Sequence, residues 1–137
     1  MKREQLAATL PQADQAGVFS LPARDVPGLT EVATAAGFAV YRVALGGCSD
    51  SGDVLARLGE QLAFPAWYGE NWDALADCLS DFSWREAPGY VLVLEQLGDF
   101  RAAGDADFDT LIEVLSEASA SWAVMGIPFW AFLITGP

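Results

Sequence analysis

The 137-residue chain carries 19 acidic and 7 basic side chains, a net charge of -12, 53% hydrophobic residues and no histidine. So apolar a chain is not disordered, and one domain over residues 1–137 is expected, with a core that needs neither disulfide nor metal. The negative field repels phosphates and so excludes direct nucleic-acid binding, while the missing histidine removes the commonest neutral-pH acid/base group and zinc ligand.

Residues 11–28 are rich in Pro, Gly and Ala, and within them Val18–Leu21 reads as a short edge strand between Gly17 and Pro22. A helix is expected from about Pro27 to Ala36, where Val32 follows Leu29 by one turn and Gly37 is available as a left-handed cap. Phe38 to Leu45 reads as a strand ended by Gly46-Gly47. Ser49 or Ser51 is the expected N-cap of a second helix, whose Val54, Leu55, Leu58 and Leu62 make an apolar stripe that Gly59 interrupts in propensity but not in pattern.

After the turn at Phe64-Pro65, Asn71 is the predicted N-cap of a helix reaching about Phe82, with Asp73 complementing the macrodipole in its first turn. Tyr90–Leu94 and Phe129–Ile134 are continuous apolar runs of strand length, patterned for burial on both faces as in parallel sheets. Between them about Asp107 to Met125 should be helical, with Leu111, Val114, Leu115 and Trp122 inward and Gly126 past the end. Strands separated by helical crossovers give an α/β fold, a small parallel sheet of three strands flanked by helices. Residues 1–37 form an extension that adds a fourth strand at the sheet edge or, as the alternative, a lid or partner site.

Cys48 and Cys78 are expected as reduced thiols packed like small apolar groups. The residues after Met1 are polar and Ala-rich rather than a signal core, and no apolar run approaches the ~20 residues that span a bilayer, so a cytoplasmic protein without membrane contact is expected. No metal-ligand cluster, phosphate-cradling glycine loop or nucleophile-base arrangement is present in the sequence, so no cofactor, metal or catalytic residue is assigned.

The charge is unevenly placed. Residues 1–40 hold three basic and four acidic side chains, and residues 41–137 hold four and fifteen. No Lys or Arg lies between Arg57 and Arg85, a stretch containing Glu60, Glu70, Asp73, Asp77 and Asp81. On a helix capped by Asn71, Asp73 and Asp77 share one face while Leu75 and Leu79 share another. Two like charges at that spacing destabilise an isolated helix by roughly 0.2–0.5 kcal/mol, a cost that cations from a basic protein partner would relieve. Trp67 and Tyr68, in a loop with Gly69, have the composition of interface anchors beside those charges. The alternative of equal weight from the residues alone is a solvated acidic face with Trp67 and Trp72 in the core. An enzyme using Asp73 and Asp77 as a carboxylate pair is the rival of another class.

The run Tyr68-Gly69-Glu70-Asn71, followed by Asp73-Ala74-Leu75 and Asp77-Cys78-Leu79, resembles the signature of the barstar family of ribonuclease inhibitors. The order of elements over about residues 38–137 is similar as well. The resemblance implies a three-stranded parallel sheet flanked by helices and an inhibitor that inserts the motif helix and its preceding loop into the cleft of a basic, barnase-like ribonuclease. By that resemblance Asp77 matches the principal aspartate, which takes the place of a substrate phosphate. Asp73 then matches a second interface aspartate, Tyr68 an aromatic contact and Asn71 a helix cap near the interface. Glu117 is similar to a glutamate that adds a peripheral salt bridge, or is a solvated-face residue. Trp67 stands where the family's prototype has a tyrosine, which keeps an aromatic anchor. Ala76 stands where it has a tryptophan, which removes contact area, and Phe82 or Trp84 is the candidate aromatic after the helix. An antitoxin or immunity-type inhibitor, monomeric, is the expectation; a barstar-like module for a non-nuclease basic partner is the alternative.

Overall fold

Four parallel strands form one sheet in the order β1-β4-β3-β2, with β1 (Val18–Pro22), β2 (Ala39–Ala44), β3 (Tyr90–Glu95) and β4 (Phe129–Thr135) numbered along the chain. The structure, a computed structural model, describes residues 2–136, so residues 1 and 137 of the expected domain lie outside the described residues. β1 pairs with β4 from Val18 opposite Ala131 onward, which makes the extension the fourth strand at the sheet edge.

The two apolar runs are buried on both faces because the strand period of two sends alternate side chains to different cores. Tyr90, Leu92 and Leu94 of β3 join Phe129, Ala131 and Leu133 of β4 on one face. Val91, Val93, Trp130 and Phe132 point to the other. The first face is covered by α3 (Ser51–Gln61), α4 (Trp72–Leu79), α5 (Gly98–Ala103) and α6 (Asp105–Val124), the second by α1 (Arg3–Thr9) and α2 (Val26–Ala35).

Two helices have no counterpart in the sequence reading. α1 and α5 each hold only one buried residue, Leu6 and Phe100, so neither shows a helical apolar period. Both depend on tertiary support; past the end of α1, Leu10 is buried and its carbonyl accepts the Trp130 indole N–H at 2.9 Å. Two of the other helix ends follow local chemistry. α2 and α6 are closed by Gly37 at φ 83° and Gly126 at φ 73°, the left-handed positions that glycine takes without a Cβ penalty.

Two expected boundaries are corrected. The cap of α3 is Asp50 rather than Ser49 or Ser51, its carboxylate accepting the Asp53 N–H at 2.8 Å. Helix α4 stops at Leu79 rather than near Phe82. The chain turns through Phe82 at φ 47°, which drops that ring into the core, stacked on Tyr90 at 4.7 Å, while the freed Leu79 carbonyl accepts the Trp122 indole N–H at 2.7 Å. Among the described residues no helix is long and apolar enough to cross a membrane. Cys48 and Cys78 are both buried free thiols.

Candidate protein interface at helix α4

Asn71 starts the helix through its side chain. Its Oδ1 accepts the Ala74 N–H at 2.8 Å and its backbone carbonyl accepts that of Leu75 at 2.9 Å. A Cβ at Gly69 would stand 3.2 Å from Asn71 Nδ2, so the small residue two places earlier leaves room for the cap. From this start the 3.6-residue period sorts the helix: Leu75, Cys78 and Leu79 face the core, Trp72, Ala74 and Ala76 are half-buried, and Asp73 and Asp77 are exposed. Asp81, in the turn that follows, is exposed as well, as is Glu70 before the cap.

Among the described residues none of these four carboxylates forms an ion pair. The two arginines that flank the stretch in sequence are turned to backbone oxygens: Arg57 Nη1 donates to the Ala44 carbonyl at 2.6 Å and Arg85 Nη1 to that of Glu86 at 3.2 Å. The charge deficit visible in the sequence is therefore also a deficit in space. Its field reaches inward: burial first, then the Asp77 and Asp81 carboxylates, push the Cys78 thiol up to about 11.

The aromatic residues before the helix divide. Trp67 is 56% exposed, whereas Tyr68 lies half-buried with its hydroxyl donating to the Leu55 carbonyl at 2.8 Å and its ring edge-on to Phe64 at 4.8 Å. Burial pushes the Tyr68 phenol well above its ordinary value of 10.0. Of the two aromatics considered after the helix, Phe82 is buried and Trp84 half-buried beside it at 5.2 Å, so Phe82 offers no surface aromatic. Glu117 is exposed on α6, the helix packed beside α4.

Sequence reasoning missed how the segment is held. Ala63, Glu70 and Phe82 all have left-handed backbones, at φ 55°, 53° and 47°, without being glycine. Ala63 closes α3 as glycine does elsewhere: the Phe64 N–H reaches the Gly59 carbonyl at 3.0 Å and the Ala63 N–H that of Glu60 at 3.3 Å. Nothing in the residue types at these positions announces a positive φ. The bracketing of the segment by three such residues is visible only in the fold.

A parallel α/β sheet, the Tyr68-to-Leu79 motif on its loop and helix, and the order of the elements together define the class. Residues 38–134 match the family model described as Barstar (barnase inhibitor). The chain belongs to the barstar family. The match begins at the residue before β2, so α1, β1 and α2 lie outside it.

Proposed function

We propose that the chain inhibits a ribonuclease, as an antitoxin or immunity protein of its own cell, by setting the Asp73–Asp77 face of α4 and the Trp67 loop into the enzyme's basic cleft. The observation that carries this reading is the pair of exposed aspartates that form no ion pair among the described residues, on a helix whose start and apolar face are fixed by the fold. A ribonuclease stabilises phosphate charge with basic side chains, so a rigid carboxylate array occupies the same groups and offers no bond to cleave. Asp77, at the middle of the exposed face, takes the phosphate position, and Asp73 adds a second charge one turn earlier. Trp67 excludes water around the charges, which strengthens each pair. Asn71 and Gly69 set the helix start, Tyr68 fixes the loop from beneath, and Ala76 adds only a small contact area to the face. Glu117 contributes a peripheral pair from α6.

The partner is then a basic protein, bound without cofactor or metal, and the chain itself performs no catalysis. Titrating a barnase-type ribonuclease with the purified protein tests the reading: activity should fall to zero at one equivalent. Persisting activity against a panel of microbial ribonucleases, with stable capture of a different basic protein, would transfer the surface to a non-nuclease partner.

A further inference from the structure

Glycine is the poorest helix former after proline, yet Gly59 sits inside α3, two residues before its last, Gln61. A Cβ at that position would stand 2.6 and 2.7 Å from Cε2 and Cδ2 of Tyr68, closer than a methyl group and an aromatic carbon approach. The ring has no easy retreat, because its hydroxyl is bonded to the Leu55 carbonyl one turn back on the same helix, at 2.8 Å, and Phe64 packs against it edge-on. The tyrosine therefore lies along the turn from Leu55 to Gly59, in a notch that only glycine leaves open.

We propose that Gly59 is a positioning residue, whose missing side chain seats Tyr68 on α3 and thereby holds the loop that presents Trp67 and delivers the chain to the Asn71 cap. The start of the loop is tied as well, by the Phe64 N–H on the Gly59 carbonyl at 3.0 Å and by the Phe64 ring against Phe82 and Trp84. The Tyr68 N–H closes a turn on the Pro65 carbonyl at 3.0 Å, and the exposed Trp67 and Gly69 flank the anchored ring directly. An interface loop ordered before binding loses less entropy on binding, so the anchor acts on affinity without touching the partner. That functional meaning rests on the reading of this loop as part of the inhibitory surface; the seating of the ring does not.

Hydrogen exchange on the free full-length chain tests the seating. The amide of Tyr68, bonded to Pro65, reports the loop, and those of Leu62 and Phe64 report the end of α3, compared between the parent and Gly59→Ala, each with Tyr68 and with Tyr68→Ala. Gly59→Ala should speed the loop amide by about tenfold or more relative to Leu62 while Tyr68 is present, and should have no such effect once Tyr68 is alanine, where the better helix former has nothing to displace. Loop exchange that is unchanged by Gly59→Ala, or raised equally in both backgrounds, would overturn the proposal. Tyr68→Phe keeps the ring and removes only the bond to Leu55; it should loosen the loop by a smaller factor, and a loop unmoved by it would overturn the anchoring role of the hydroxyl. Since the readout involves no partner, failure to inhibit any ribonuclease would sink the functional reading and leave the exchange result to decide this one.

Discussion

The face of the sheet covered by α1 and α2 and the face covered by α3, α4 and α6 are built alike and carry different chemistry. Under α1 and α2 the sheet presents Val91, Val93, Trp130 and Phe132, and an apolar pocket of about 260 Å³ stays open between Leu6, Leu10, Phe19 and Trp130. Arg3 and Glu31 form an exposed ion pair at 2.8 Å between its two helices. Around α4 the carboxylates form no ion pair among the described residues, and the connecting segment is held in left-handed backbone at residues other than glycine. One face thus spends its residues on burial and the other keeps charge and strain at its surface, which is where residues kept for binding are expected.

That division predicts that substitutions in the two regions separate stability from binding. The largest effect is expected from Trp130→Ala. It removes a buried ring stacked on Phe132 at 5.7 Å and orphans the Leu10 carbonyl, and should cost about 3–5 kcal/mol in urea unfolding. The folded fraction should bind its partner as tightly as the parent. Asn71→Ala should cost about 1 kcal/mol by the same measurement, because the Ala74 N–H loses its partner. Ala63→Gly should act in the opposite direction. Relieving the φ of 55° at the end of α3 outweighs the extra freedom of glycine in the unfolded chain, for a gain of roughly 0.5–1 kcal/mol without loss of affinity.

The smallest effect is one of pH. The Cys78 thiol lies above its ordinary 9.0 in the folded chain, so its contribution to stability is complete below pH 9 and is lost as pH rises toward about 11. Tyr68 shifts in the same direction and extends the loss at the alkaline end. A stability profile flat from neutral to pH 9 and falling beyond it is the expected outcome, with a shallower fall in Cys78→Ala.

Much of this was legible beforehand. The strands came from apolar runs bounded by Pro and Gly, α4 from Asn71 and the four-residue spacing of its aspartates, and the extension's edge strand from Val18 to Leu21. What escaped was set by tertiary contact. α1 and α5 have one buried residue each and no period to read. The early end of α4 is decided by Phe82 seeking Tyr90, and the residue type at Gly59 shows only a poor helix former, whereas the fold lays Tyr68 in its notch. Residue spacing shows which side chains share a helix face. It does not show that Tyr68 turns inward while its neighbour Trp67 stays in solvent.

The claim at the centre is that the Asp77 charge, rather than its shape, holds the partner. Asp77→Asn keeps the shape and removes the charge. With a ribonuclease that the parent chain demonstrably inhibits, the exchange should weaken binding by at least ~2 kcal/mol in calorimetry while leaving the thermal midpoint unchanged or slightly raised, since one repulsion with Asp73 is gone. Equal affinity of the two proteins for that ribonuclease would contradict the account.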